Sequence, residues 1–378
     1  MKNIDGGIFE GERALFFAED TNITNATFRN GESPLKESKN ITLENCKFEW
    51  KYPLWYSKKI KAKNIVFEET ARSGVWYAEG VTIKDSTILA PKTFRYSRWP
   101  SLFGVDMPNA DEALWHCGVV TLNTVKAKGE SIGLGLNGGG VFWSTLQGDF
   151  LFDGCENVRI EESDLESYSG FCNSYKSEFI KVRVKGDRFF GGAENVKVYD
   201  SRFVGKYVLR GASDLQLDNV YVEGDYFGLG AADVYATGME VQGNYLFDGA
   251  RDVVIRNSKL ISKDAFWNCE NVKVENCHIV GEYLGWNSKN ITFINCTIES
   301  NQGMCYMENV TMHNCTLNNT DLCFEYCKEV DATINSHIDS VKNPISGRIV
   351  AKSIGEIIHE SDRVDVSATE IIEEEPNV

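Results

Sequence analysis

The stretch VKVENCHIVGEYLGWNSKNITFINCTI, residues 272–298, states one phrase twice. VxxENCxI ends at Ile279 and ITFINCTI ends at Ile298, so Asn276–Cys277 and Asn295–Cys296 stand 19 residues apart. With the last apolar residue of the phrase as anchor, the same step runs through Ala127, Leu146, Leu165, Val184, Phe203, Val222, Val241, Leu260, Ile279, Ile298 and Leu317. Earlier anchors at Phe28, Phe48, Phe67 and Ile88 step by 20, 19 and 21, and Ile338 follows Leu317 by 21. A fixed period over most of a chain marks a solenoid, not a string of unrelated domains. The expected organisation is a coil over residues 1–340 and a C-terminal cap with an acidic tail over 341–378.

The columns of this array show what each position does. Three before the anchor stand Asn25, Asn45, Asn64, Asp85, Asp200, Asn219, Asn257, Asn276, Asn295 and Asn314. Eight before it stand Asn157, Asn195, Asp214, Asp233, Asp252, Asn271, Asn290 and Asn309. Asn and Asp tolerate the left-handed backbone that tight corners need. Between the corners lie alternating apolar pairs such as Val253/Ile255 and Val272/Val274, a strand period. Identical turns stacked about 4.8 Å apart pair each strand with its copies in parallel, and parallel crossovers favour the right hand. The expected fold is all-β: a single-stranded right-handed parallel β-helix with three short sheets.

The chain has 378 residues and a formal charge of −16. That balance opposes nucleic acid and anionic membranes as partners, since both need clustered Lys and Arg. The opening MKNIDGGIFEGERALFF has no apolar signal core, and the expected location is cytoplasmic. Eleven cysteines include no CxxC, which opposes zinc ribbons and thioredoxin-like redox chemistry. Cys277, Cys296 and Cys315 form an inward column, while His278 and His313 fall in different columns. No metal and no cofactor is expected.

The stacked turns with their Asn columns resemble the right-handed β-helix proteins of the pectate-lyase-like superfamily. FWNCENVKVENC and DSVKNPISG are similar to an uncharacterised bacterial family of that group, carried as a domain of unknown function. Its polygalacturonase-like members imply NTD, a DD pair, GHG and RIK. Asn319-Thr320-Asp321 is the one match here, and the other three motifs are missing. Pectate lyases imply clustered calcium-binding aspartates with a basic proton abstractor, and no such cluster stands in the sequence. The resemblance therefore fixes a fold and leaves activity open.

Two regions break the columns. Twelve before the anchor, Trp55, Trp76 and Trp115 give way to Asp153, Arg210 and Asp248, then Trp267 and Trp286. Charges flanked by tryptophans suit either a sugar groove or an interface. The turn near 89–114 has lost the phrase and holds Pro91, Pro100 and Pro108 with Arg95, Arg98 and Trp99. Asp111, Glu112 and His116 are its candidate acid/base groups. The ligand-binding candidates are Asp153, Arg210, Asp248, Trp267, Trp286, Arg95, Arg98 and Trp99.

Consecutive columns on one side are all apolar or aromatic, as in Phe150-Leu151-Phe152, Tyr207-Val208-Leu209 and Tyr245-Leu246-Phe247. In a strand, neighbours face opposite ways, so an aromatic strand face is expected outside. The leading expectation is a non-catalytic binding or assembly module that forms a homodimer through that face. The alternative is a carbohydrate-active hydrolase or lyase with non-standard catalytic residues and a glycan partner. Toward the C-terminus, Ile354, Ile357 and Ile358 are expected to cover the open end, and Glu373, Glu374 and Glu375 to form a solvated tail.

Overall fold

A computed structural model of the chain describes residues 1–374; Glu375 lies outside them. The chain divides into two compact units, Met1–Gly186 and Asp187–Val378. Each unit is a parallel β-solenoid of roughly 19 residues per turn. In the second unit Arg251–Arg256 pairs in parallel with Glu270–Glu275, which pairs with Lys289–Ile294. The register carries Val253 onto Val272 and Ile291, one period at a time. A shorter strand follows in each turn, with Lys259–Ile261 beside His278–Glu282 and Thr297–Asn301.

The inward residues of these strands make the core. Val253, Ile255, Val272, Val274, Ile291 and Phe293 are all at most 2% exposed. At the corner between the two strands, Asn257, Asn276, Asn295 and Asn314 take φ of 50–54°. Their amides form a ladder, Asn276 donating to Asn257 (3.3 Å), Asn295 to Asn276 (3.0 Å) and Asn314 to Asn295 (2.7 Å). The asparagine thus turns the corner and also ties each turn to the one before. Cys277, Cys296 and Cys315 lie buried beside it, their thiols donating to main-chain carbonyls.

The third side of the turn is not a strand. Between Glu240–Gln242 and Arg251–Arg256, every second residue is left-handed: Tyr245 (φ 58°), Phe247 (56°) and Gly249 (67°). Successive N–H groups of this set point alternately to the next and the previous turn. Tyr245 donates to Lys263 O, Phe247 to Phe227 O and Gly249 to Trp267 O. The backbone is therefore satisfied without being pleated, and the two-residue alternation of side chains does not apply. Leu246 and Phe247 are both buried, as are Val208 and Leu209 on the same side two turns earlier. The aromatic strand face expected from 150–153, 207–210 and 245–248 is corrected on this ground: the middle pair of each run belongs to the core. Outside remain Tyr207, Tyr226 and Tyr245, stacked ring on ring at 4.9 and 4.6 Å.

Two other local expectations change. The proline-bearing segment is a regular rung, because Ser101–Met107 pairs with Glu79–Ile88 on one side and Gly118–Asn123 on the other, and Leu102, Val105 and Met107 enter the core. Near the C-terminus the ladder continues, since Gly347–Ile358 pairs with Lys328–Lys342 and with Thr369–Glu373. Ile354, Ile357 and Ile358 lie on that strand, with Ile357 44% exposed. Glu373 is part of the last strand and its carboxylate accepts the Ile354 N–H at 3.2 Å.

Ten of the eleven cysteines are buried free thiols and one, Cys172, is half-buried. Burial pushes the Cys117, Cys155 and Cys269 thiols up to about 12, far above neutral pH, so they stay protonated and unreactive. In a titration with an aromatic disulfide reagent, the native protein is expected to release about one equivalent quickly and eleven after unfolding in urea. Several fast equivalents from native protein would contradict this packing.

Candidate functional site

One corner of the first unit collects rings. The residue eleven before each anchor sits here in the left-handed conformation: Phe17 (φ 58°), Glu37 (59°), Tyr56 (56°), Tyr77 (55°), Tyr96 (50°) and His116 (51°). A left-handed residue with a Cβ costs roughly 1–2 kcal/mol. Stacking offsets much of it, at about 0.5–1.5 kcal/mol per pair. Tyr56, Tyr77, Tyr96 and His116 form a continuous pile with centroids 5.0, 5.4 and 5.3 Å apart. Phe17 and Glu37 stand before the pile. Phe17 is 60% exposed and touches the Phe16 ring at 4.2 Å.

An open groove of about 690 Å³ runs along this corner, lined by Phe17, Glu37, Tyr56 and Tyr77 and by the first strand residues Glu19, Lys39, Lys58 and Glu79. Lys58 and Glu79 pair across one rung at 3.5 Å. Rings in a pile show solvent their edges and hydroxyls, not their faces. A flat face is open only where the pile ends, beside Glu37.

The column next to it holds Trp55, Trp76, Arg95 and Trp115. Trp55 stacks on Trp76 at 5.4 Å, and the Arg95 guanidinium lies between Trp76 and Trp115, 5.1 and 4.2 Å from the ring centres. Arg95 also pairs with Glu112. The indole N–H groups of Trp55, Trp76 and Trp115 donate to the carbonyls of Ser73, Lys92 and Ser131. These tryptophans are half-buried struts that hold the third side to the next turn.

The expected acid/base team is not assembled. Burial acts to raise the Glu112 carboxyl, but the Arg95 and Lys92 cations outweigh it and hold it below the usual range. Asp111 accepts the Glu130 N–H at 2.8 Å. His116 stacks on Tyr96 and covers Gly135, where any Cβ would overlap its ring. Arg98 and Trp99 are exposed at the start of the strand side, apart from Arg95 in its sandwich.

Asp153 belongs to the first unit, where burial raises its carboxyl and its Oδ1 accepts the Cys172 N–H at 3.0 Å. Arg210 and Asp248 belong to the second. Arg210 is exposed, and Asp248 accepts the Asn268 amide at 3.1 Å. Trp267 and Trp286 are brought together at 6.0 Å and continue into Tyr306 and Tyr326 at 4.9 and 5.1 Å. A smaller groove of about 320 Å³ lies there, lined by Tyr306, Tyr326, Lys289, Glu308 and Lys328. It has the same make-up as the larger one: left-handed rings beside charged strand starts. Asn319 donates its amide to the Glu299 carboxylate at 3.1 Å, Thr320 donates to Asn318 O at 3.0 Å and Asp321 accepts the Gln302 N–H at 3.0 Å. Among the described residues, no cluster of three or more His, Cys, Asp or Glu side chains is placed to hold a metal ion. Phe17, Glu37, Tyr56 and Tyr77 were missed from the sequence, although their common offset from the anchors was there to be read; Tyr96 stands eleven before Met107, in the turn that had lost the phrase.

No curated protein sequence matches the chain. Among solved structures, it is similar to PfbA, a surface adhesin of Streptococcus pneumoniae, at 10% identity, covering 84% of this chain and 82% of that one with a TM-score of 0.27. It is similar also to a PL6 alginate lyase complex with trisaccharide, at 10% identity, 88% and 86% coverage and a TM-score of 0.24. Likenesses at these values carry nothing about activity. A family profile matches residues 2–191 and again 175–372, each over about the span of one compact unit. The chain belongs to the family described as protein of unknown function (DUF3737).

Proposed function

We propose that the protein is a non-catalytic binding module whose contact surface is the ring-bearing corner of the first unit. The observation that carries this is a contrast within one column. Gly135 and Gly154 of the first unit, like Gly192, Gly211, Gly230 and Gly249 of the second, fill this left-handed position without a side chain, whereas Phe17, Glu37, Tyr56, Tyr77 and Tyr96 hold it with large ones. Glycine takes this conformation without steric cost, so large side chains held there and half-exposed serve something other than the fold. Aromatic side chains of this kind are enriched at interfaces. Ten buried cysteines kept as thiols suit a reducing compartment, and the cytoplasm is the expected setting.

The rival reading, a polysaccharide hydrolase or lyase, draws on Asp264. Burial raises its carboxyl although the Tyr245 hydroxyl donates to it. Two-carboxylate hydrolysis needs a second group about 5–9.5 Å away on the other side of the bond, and Glu282 and Asp248 are the carboxylates whose charges act on Asp264.

A photo-cross-linking phenylalanine analogue at position 77 tests the module in cells, with the same analogue at the exposed Tyr235 of the second unit as control. A discrete adduct from position 77 and none from 235 is expected. Equal labelling from both, or none from 77, would sink the reading. Product release from uronic-acid or neutral glycans that is lost in Asp264→Asn would replace it with the enzyme.

A further inference from the structure

The pile of rings in the first unit stops one rung short of Phe17, and the residue in the gap is Glu37. Phe17 and Tyr56 lie on rungs two apart, roughly 9.5 Å at strand spacing. Phe17, Tyr56 and, on the rung between them, Glu37 line the same 690 Å³ groove. Glu37 uses its backbone, donating to Trp55 O at 2.8 Å, but among the described residues its carboxylate has no hydrogen-bond or ion-pair partner. A half-buried acid between two aromatic rings, with nothing of its own chain on it, is an incomplete arrangement.

The neighbouring column shows the completed one. Trp76 and Trp115 are also two rungs apart, and the space between them is filled by the Arg95 guanidinium, which contacts both ring faces and pairs with a carboxylate, that of Glu112. Ring, planar cation and ring, with an acid at the edge, is the combination this fold packs at that spacing. At the Glu37 slot the two rings and the acid are present and the planar cation is not. Lys36 partly answers the same attraction, its ammonium 5.7 Å from the Tyr56 ring centre. An ammonium is a strongly hydrated point charge, whereas a guanidinium is flat, weakly hydrated and stacks.

We propose that the Glu37 slot receives the guanidinium of an arginine side chain on a basic protein partner, stacked between Phe17 and Tyr56 and paired with the Glu37 carboxylate. This rests on the reading of the corner as a contact surface and names the chemistry it selects. The chain's charge of −16 favours a basic partner at long range. The strand starts flanking the slot carry Glu19 and Lys39, and the Lys58–Glu79 pair neutralises itself. Selectivity therefore comes from the slot and not from a broad acidic patch.

The probe is a fluorescently labelled Gly-Arg-Gly-Arg-Gly peptide followed by anisotropy on the full chain, with lysine and citrulline versions beside it. The arginine peptide is expected to bind at least several-fold more tightly than the lysine one, and the uncharged citrulline peptide not at all. Glu37→Gln is expected to weaken arginine binding about tenfold, as loss of a charge-assisted pair does, and Tyr56→Leu by a similar factor. Lys36→Ala, which clears the slot, is expected to tighten it. Because the Glu37 carboxylate has no intramolecular partner, Glu37→Gln should keep the wild-type melting temperature, so a fold defect is not the cause of lost binding. Equal affinity for lysine and arginine peptides, binding unchanged in Glu37→Gln, or no arginine binding would each overturn the inference. If the position-77 adduct persists in any of those cases and is unaffected by Glu37→Gln, the binding module stands and only its arginine selectivity falls; if that adduct is missing too, both fall.

Discussion

Gly224→Ala is expected to cost ~4 kcal/mol or more, in the range reserved for severe steric or backbone conflicts, and to leave little folded second unit in moderate urea. Gly224 stands two residues after its anchor with φ +145°, and a Cβ there would overlap the Gly205 carbonyl oxygen. The conflict repeats one turn on, where a Cβ on Gly243 would overlap the Gly224 carbonyl oxygen. This column marks where one backbone comes closest to the next, directly after the paired strands Arg202–Val204 and Tyr221–Glu223 that fix its position. Gly230→Ala is the control, since it too is left-handed, at φ +65°, but has no atom within 4 Å of its would-be Cβ. There only the backbone term of roughly 1–2 kcal/mol applies. Urea midpoints for the two variants measure the difference. Equal losses would mean that close approach does not govern the Gly224 column.

Leu246→Ala and Phe247→Ala should both be strongly destabilising, about 2–5 kcal/mol each, because both side chains are buried in the core and truncation leaves a cavity. A pleated strand would make the pair unequal: one residue inside, the other outside and within about 0.5 kcal/mol of neutral. The comparison is therefore a direct measurement of the third side's backbone. Tyr245→Ala, at a half-exposed ring that stacks on Tyr226, should cost no more than about 0.5–1.5 kcal/mol. If Leu246→Ala or Phe247→Ala proved as mild as Tyr245→Ala, that side would be an ordinary strand with an exposed aromatic stripe.

These two tests fall where sequence reasoning was strongest and weakest. The period, the Asn corners and the inward Val and Ile pairs were legible because each is a repeated demand of local chemistry. Asn276 must be left-handed and must reach Asn257, so it recurs at the step that stacks it. The proline-bearing turn misled for a simple reason. Loss of the phrase removed the visible signal, while Leu102, Val105 and Met107 kept the inward positions that hold the rung in register. The candidate residues fared differently from one another. Trp267 and Trp286 are neighbours in their column, whereas Arg95, singled out in the proline-bearing turn, lies between Trp76 and Trp115, held by its own chain with Glu112 as its partner.

By itself the sequence determined the parallel coil, since identical columns at one spacing can satisfy their backbone and bury their apolar rows only by stacking turn on turn. Only the tertiary structure decided how the third side is built and where the rings gather. Three apolar residues in succession have the same pattern whether the chain is pleated or alternately left-handed; inter-turn hydrogen bonds choose between those backbones. Likewise, Phe17, Glu37 and Tyr56 lie 20 and 19 residues apart, and the slot they form exists only once the rungs that carry them are stacked.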